Sequence, residues 1–580
     1  MVNFILGRSG YGKTELIKKL ILKELNSGNN NIILIIPEQS SFETEKNILE
    51  FLGNKNFAKI KILNFSNLSS FVFEKLNMPD LKPVNNIKQI IILNNILEEL
   101  GSQLEIYKKS SSNINFIELL LKTIQELKSN KVTLEDLDKI LELSKKELLK
   151  QKIRELKLIY HSFNNICHEK FQNCSNILNL TEKLLKDHKI FENYTVFVDE
   201  FDGFDMQQFD ILEYIITQSQ DTYMSFCTDR TDYYLFENIN QTIKKIINIS
   251  QKNNVEHKIF ANLVQNMRAQ NEELKILEQN IFRPNKIKNH KTPENIFFSS
   301  SHDIHGECEK LVQNIKDIII SKKYHYRDIV ILLRNSSEYP DIIKSLLKKD
   351  GINYFLDFPE KLFNKNITNL ILAIFDIIIN NYNSQDIIKL LKTNLININQ
   401  EDGYLLENYV LLWKIKSKSW FSEFTMHPDG FYSQFEQKDI ELLEKINQIR
   451  EKIITPIYKF HQKIKNSTGK EISIALYELI LEFKVPEKFR EFCCEISTKN
   501  NIEVAEKYAF IWSNIIDVLN QVAETIGDQK IKLEKYAEIF KFSLNTVDCS
   551  YVPQNSDSIL ITSVERARIF DKKVVFIVGA

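Results

Sequence analysis

Val2-Asn3-Phe4-Ile5-Leu6-Gly7-Arg8-Ser9-Gly10-Tyr11-Gly12-Lys13-Thr14 is an apolar run that passes straight into a glycine-rich loop. Gly7 to Thr14 fits G-x4-G-K-S/T without a mismatch. Three glycines let such a loop curl so that its amides point inward at phosphate oxygens. Lys13 then meets the β- and γ-phosphates, Thr14 offers a hydroxyl to Mg²⁺, and the following helix adds its positive end. That helix is legible: Leu16, Ile17, Leu20, Ile21 and Leu25 recur at helical spacing from Thr14 to Leu25, and Gly28 ends the run. Gly7, Arg8, Ser9, Gly10, Tyr11, Gly12, Lys13 and Thr14 are therefore the candidate nucleotide ligands. A glycine turn with an incidental lysine is the plainer alternative, and the position between strand and helix argues against it.

Outward from the loop, Ile32–Ile36 reads as a second buried strand stopped by Pro37, Glu43–Leu52 as a helix and Lys59–Leu63 as a third strand. Strand–helix–strand repetition implies right-handed crossovers and a parallel sheet. Strands then disappear, and Ile87–Leu100, Phe116–Lys128 and Thr133–Phe163 read as amphipathic helices, with Thr133 and Asp136 as an N-cap pair. Strands return at Tyr194–Val198 and Thr222–Cys227. Arg283–Pro293, basic and bounded by prolines, marks a boundary. Beyond it, Asn295–Phe298 and Ile329–Leu333 read as strands around a helix Gly306–Ser321, and Ser558–Thr562 and Lys573–Val578 as strands after a long helical stretch.

The same plan is thus expected twice in an α/β protein. Core one takes residues 1–65 and 191–285, with a helical insertion at 66–190. Core two takes 294–358 and 550–580, with a helical insertion at 359–549. Val574–Val578 has the apolar run of an interior strand, which needs a following element to cover it, so the chain is expected to stop within core two as a fragment of a longer protein.

Composition narrows the class. Of 580 residues, 43% are hydrophobic and 26% charged, ordinary for a globular protein, and only 14 Gly and 11 Pro favour long helices. The 76 basic and 77 acidic residues give a net charge of −1, without the basic excess of a free-standing DNA-binding domain. Nucleic-acid contact then needs local patches or a partner's positive field. No run approaches the roughly 18 apolar residues of a membrane span, and the opening five-residue apolar run is no secretory signal. The scattered Cys167, Cys174, Cys227, Cys308, Cys493, Cys494 and Cys549 form no Cys-x-x-Cys pair, and they read as reduced thiols of a cytoplasmic protein.

Three further segments carry candidate chemistry. Thr195-Val196-Phe197-Val198-Asp199-Glu200 is an apolar strand delivering two carboxylates, the Walker B pattern. Asp199 would hold the hydrated Mg²⁺ with Thr14, and Glu200 would orient the attacking water. Strand-end acids also serve as turn formers. Arg334 closes the strand Ile329–Leu333, where it would stabilise γ-phosphate charge as an arginine finger or remain a surface ion-pair residue. Arg566, Arg568, Lys572 and Lys573 would meet DNA phosphates or line a solvated strand edge.

Six dispersed segments, taken together, resemble one family. They are the glycine loop with Ile36-Pro37-Glu38-Gln39, then Lys61 to Leu68, Val196 to Phe204, Tyr326 to Asn335, Ile352 to Asp357, and Ile561 to Gly579. In that order they are similar to the B subunits of the AddAB-type ATP-dependent helicase–nucleases of Firmicutes. The resemblance covers the chain end to end. It implies a superfamily 1 helicase-like architecture of two RecA-like cores, each with an inserted helical subdomain. It also implies ATP and Mg²⁺, a heterodimer with an AddA-type subunit, and a role in channelling and scanning single-stranded DNA during double-strand-break repair. A nuclease domain with a 4Fe–4S cluster is implied beyond Ala580.

Two departures bear on the motor. An active helicase of this superfamily would show Asp-Glu-x-Gln at its second motif, and this chain reads Asp199-Glu200-Phe201-Asp202. Its fifth motif would resemble Thr-x-His-x-x-Lys-Gly-Leu-Glu, where this chain reads Ser563-Val564-Glu565-Arg566-Ala567-Arg568. Conversely, the family resembled usually has Asp-Gly where this chain has Asp199-Glu200. An active UvrD-type translocase and a structural partner with a vestigial nucleotide site are the two alternatives.

Overall fold

The computed structural model describes residues 1–38, 41–79, 86–110, 113–170, 177–229, 234–269, 271–282, 292–321, 323–334, 338–358, 360–431, 434–498, 502–549, 557–564, 567 and 572–579. Its contacts divide the chain into two compact units. The first comprises residues 1–84, 96–111 and 118–307, and the second comprises 85–95, 112–117 and 308–580.

Six strands build the sheet of the first unit: β1 (Val2–Gly7), β2 (Ile32–Ile35), β3 (Ile60–Leu63), β4 (Thr195–Val198), β5 (Asp221–Cys227) and β6 (His257–Asn262). They lie in the order β3-β2-β4-β5-β1-β6, and every pairing is parallel. All six residues of β1 and all four of β2 and of β4 are buried, as interior strands covered on both faces require.

The alternation of side chains sends them to two different cores. Val2, Phe4, Leu6, Ile33, Ile35, Val196 and Val198 pack with Phe65, Leu68, Phe71 and Val72 and with Phe209, Leu212 and Ile215. Ile5, Ile32, Leu34 and Phe197 pack with Ile17, Ile21 and Leu25. The latter three come from α1 (Lys13–Asn26), and burying each contributes about 1.5–3 kcal/mol. The glycine loop therefore joins an interior strand to a helix anchored on the same sheet.

The second unit carries β7 (Ile329–Leu333), β8 (Tyr354–Leu356), β9 (Glu360–Lys361), β10 (Asp548–Cys549), β11 (Ile559–Ser563) and β12 (Val574–Val578). Four form a parallel sheet in the order β12-β7-β11-β8, and β9 pairs antiparallel with β10. Between β9 and β10 a helical core gathers around Ile371, Ile374, Tyr409, Trp420, Leu476, Tyr536 and Phe540. Ile87 and Ile91, from the helix Asn86–Glu99, pack into that core.

Three expectations change. Residues 295–298 form no strand: Phe297 and Phe298 are 85% and 93% exposed, so the apolar pair has no sheet to enter. Thr133–Phe163 is two helices, Leu134–Leu143 and Glu147–Lys170. Ser144 takes ψ 132 after closing its amide on Ile140, which turns the backbone out of the helix. Lastly, among the described residues β12 lies at the edge of its sheet, with Val575 and Ile577 exposed. The expected boundary at 283–293 falls mostly outside the described residues.

Candidate nucleotide site

Parallel register brings three strand ends to one edge of the first sheet. Gly7 of β1 faces Cys227 of β5, and Val198 of β4 faces Met224 of β5. The chain leaves β1 into the glycine loop and leaves β4 into Asp199, with β5 between them. In open α/β sheets this carboxyl edge, where neighbouring strands send their connections apart, is where ligands bind.

The loop has the backbone a phosphate cradle needs. Gly10 and Gly12 take φ 81 and 85, conformations that side chains rarely adopt, and Gly12 caps α1 in the left-handed region. A Cβ at Gly10 would stand 2.9 Å from Cβ of Arg268. The segment that follows β6 holds the loop: the amides of Met267 and Arg268 both donate to the carbonyl of Gly10, and Leu263 N–H donates to Leu6.

Lys13 folds back over the loop, its ammonium donating to the carbonyls of Gly7 at 2.8 Å and Arg8 at 2.9 Å. Burial pulls its pKa below the ordinary lysine value, and the positive charge of Arg268 adds to that, against the opposing fields of Cys227, Asp199 and Asp202. Burial raises the Cys227 thiol, against the lowering field of Lys13. A half-buried ammonium whose partners among the described residues are neutral carbonyls can take an anion, so the donor set fits a nucleotide's phosphates.

Asp199 is 3% exposed and accepts the Ser225 hydroxyl from β5 and, at 2.9 Å, the amide of Glu200. Glu200 takes φ 68, and its carboxylate accepts from Thr44 Oγ1 at 3.3 Å. A non-glycine residue there is held by its surroundings, and a glycine would take the same turn without steric cost. The side chains of Arg8 and Tyr11 do not line the cradle. Both are buried and end on Glu278 of the helix Glu272–Asn280, which leaves their backbones to serve the loop.

Arg334, of the second unit, is exposed at the end of β7. Lys572 donates to the carbonyl of Arg327, and Lys573 pairs with Asp328 at 3.1 Å, so both tie the start of β12 to the turn that precedes β7. Arg566, Arg568 and Glu565 lie outside the described residues, as does Gln39. Among the described residues, no group of three or more His, Cys, Asp and Glu is arranged to hold a metal, and no helix is long and apolar enough to cross a membrane.

Sequence reasoning missed β6, Ser225, Arg268 and Glu278. β6 is mostly exposed, so it carries no buried-strand pattern. Arg268 and Glu278 are far from the motif in sequence, and only the fold brings them to it.

Residues 4–278 match the family model described as ADDB, N-terminal, and residues 261–580 match that of the UvrD-like helicase C-terminal domain, which spans more than half of the chain. The chain belongs to the UvrD-like helicase C-terminal domain family. This UvrD-like chain is 30% identical to the B subunit of the ATP-dependent helicase/deoxyribonuclease of Thermoanaerobacter sp. (strain X514), across all of its own length and 51% of that protein. The B subunits of the enzymes of the same name from Clostridioides difficile (strain 630) and Clostridium botulinum (strain Loch Maree / Type A3) are 28% and 30% identical, with 100% of the UvrD-like chain aligned to 51% and 52% of theirs. The chain spans about half the length of the curated relatives it matches.

Proposed function

We propose that this chain is the helicase-like part of an AddB-type component of an ATP-dependent helicase/deoxyribonuclease. In this reading it binds ATP with Mg²⁺ at Gly7–Thr14 and works with an AddA-type subunit in cytoplasmic double-strand-break repair by recombination. It helps channel and scan single-stranded DNA there. The observation that carries the nucleotide part is the half-buried Lys13 ammonium folded over the glycine loop at the carboxyl edge of a parallel sheet, in electrostatic reach of Asp199. Thr14 and Asp199 would hold the metal ion, whose chemistry is to neutralise phosphate charge. Lys13 would exchange its two carbonyl partners for phosphate oxygens, and Glu200 would orient a water.

One observation favours a second reading, a structural partner with a vestigial site: Lys13 already has two good acceptors within its own loop. DNA-end processing by the assembled two-subunit complex separates the readings. Lys13→Ala is expected to slow or alter it, and unchanged processing supports the structural partner. DNA-stimulated ATP hydrolysis by the chain alone would instead indicate an active UvrD-type translocase.

A further inference from the structure

Arg8 and Tyr11 are large residues in a loop that must close on phosphate, and both are directed to a single carboxylate. Nε of Arg8 lies 2.7 Å from Glu278 Oε1, and its Nη2 donates to the Glu278 carbonyl at 2.9 Å. Tyr11 donates its phenol hydrogen to Glu278 Oε2 at 3.4 Å. Asp229 at 3.6 Å and the ring of Phe236, 5.4 Å from the guanidinium, complete the socket around Arg8. Burial first, and then the charge of Glu278, raise the Tyr11 phenol above its usual value, so Tyr11 stays a donor across the working range.

The same loop residue that Glu278 holds also holds Lys13. The Arg8 carbonyl accepts the Lys13 ammonium while the Arg8 side chain is fixed to the helix Glu272–Asn280. A phosphate that draws Lys13 off that carbonyl changes the balance at Arg8, and Arg8 is tied to the helix by charge-assisted contacts at both ends of one residue. On the reading that Gly7–Thr14 binds a nucleotide, we infer that Glu278 is the positioning residue of the phosphate loop. It keeps Arg8 and Tyr11 out of the phosphate cavity and couples phosphate occupancy to the helix Glu272–Asn280. By linkage, whatever moves that helix alters nucleotide affinity, and nucleotide alters the helix by the same factor.

The test titrates the full chain with ATP and magnesium chloride by calorimetry, and follows amide exchange at 272–280 with and without ATP. Glu278→Ala is expected to bind about tenfold more weakly, through the loss of the ion pair to Arg8 and of the hydrogen bond from Tyr11, and to lose the slowing of exchange that ATP causes at 272–280. Glu278→Gln keeps the volume without the charge, so it is expected to fall between, about threefold weaker. If the alanine variant does not fold, the glutamine variant decides by the same two readouts. Wild-type affinity together with an intact exchange response in the folded variant overturns the inference, provided Lys13→Ala has lost binding. If Lys13→Ala binds as well as wild type, the nucleotide reading itself has failed and the coupling falls with it.

Discussion

Asp199, at the end of β4, accepts the hydroxyl of Ser225 from the middle of the adjacent strand β5. One buried carboxylate oxygen thereby takes donors from a neighbouring strand and from the turn that follows its own. This fixes Asp199 before any ligand arrives, as a site that must not reorganise on binding requires.

Ser225→Ala is expected to remove that donor and leave a buried carboxylate short of one partner, destabilising the first unit by about 1–3 kcal/mol. Native-state hydrogen exchange at β4 and β5 reads the loss. Ser225→Thr, which keeps the hydroxyl, should recover most of it.

Glu200 tests backbone strain. The left-handed conformation costs a non-glycine residue about 1–2 kcal/mol, which glycine would relieve. Glycine also loses the Thr44 contact and loosens the unfolded chain. Glu200→Gly is therefore expected to stay within about 1 kcal/mol of wild type, whereas β-branched Glu200→Val should cost about 2 kcal/mol. Thermal unfolding compares the two, and equal losses would argue against strain at this turn.

Lys13 links binding to pH. Its folded pKa lies below 10.5 because burial disfavours the charge. In the alkaline window below 10.5 the folded chain therefore holds fewer protons than the unfolded chain, and this group's share of stability rises with pH. A bound polyphosphate restores the charged form, so ATP binding in that window is expected to take up protons. Calorimetry in two buffers of different ionisation enthalpy measures the uptake, and a null result would place Lys13 away from the phosphates.

The capping box at Thr133 and Asp136 gives an acid-range prediction. Hydrogen bonds from the Thr133 hydroxyl and then its amide hold the Asp136 carboxyl down to about 2, against an ordinary 3.8. The sign is that of a depressed carboxylate: the cap is intact above 3.8 and is lost as pH falls toward about 2. Carboxyl NMR should show that titration, and Thr133→Ala should return Asp136 toward 3.8.

Much of the first sheet was legible because its strands are buried on both faces. Val2–Leu6 and Ile32–Ile36 are uninterrupted apolar runs between turn signals, and the glycine loop has a fixed spacing. The Thr133 cap was legible for the same local reason. β6 was not, because an edge strand with residues such as Lys258 and Asn262 satisfies no burial pattern. Phe297 and Phe298 misled in the opposite direction: their composition is that of a strand, but a strand needs a neighbour with free backbone groups, and composition does not report one.

The candidate site divides along the same line. Lys13, Thr14 and Asp199 sit in contiguous motifs whose spacing reflects strand-to-helix geometry. Ser225, Arg268 and Glu278 reach the loop only through tertiary packing, at separations no local pattern records.

The most direct test of the central claim is the calorimetric affinity of this chain for ATP with magnesium, compared with its Lys13→Ala variant. The account predicts saturable one-site binding that Lys13→Ala weakens about a hundredfold, as loss of a charge-assisted phosphate contact in a half-buried site would. Equal affinity of the two proteins, or no binding by the folded wild type, would contradict it.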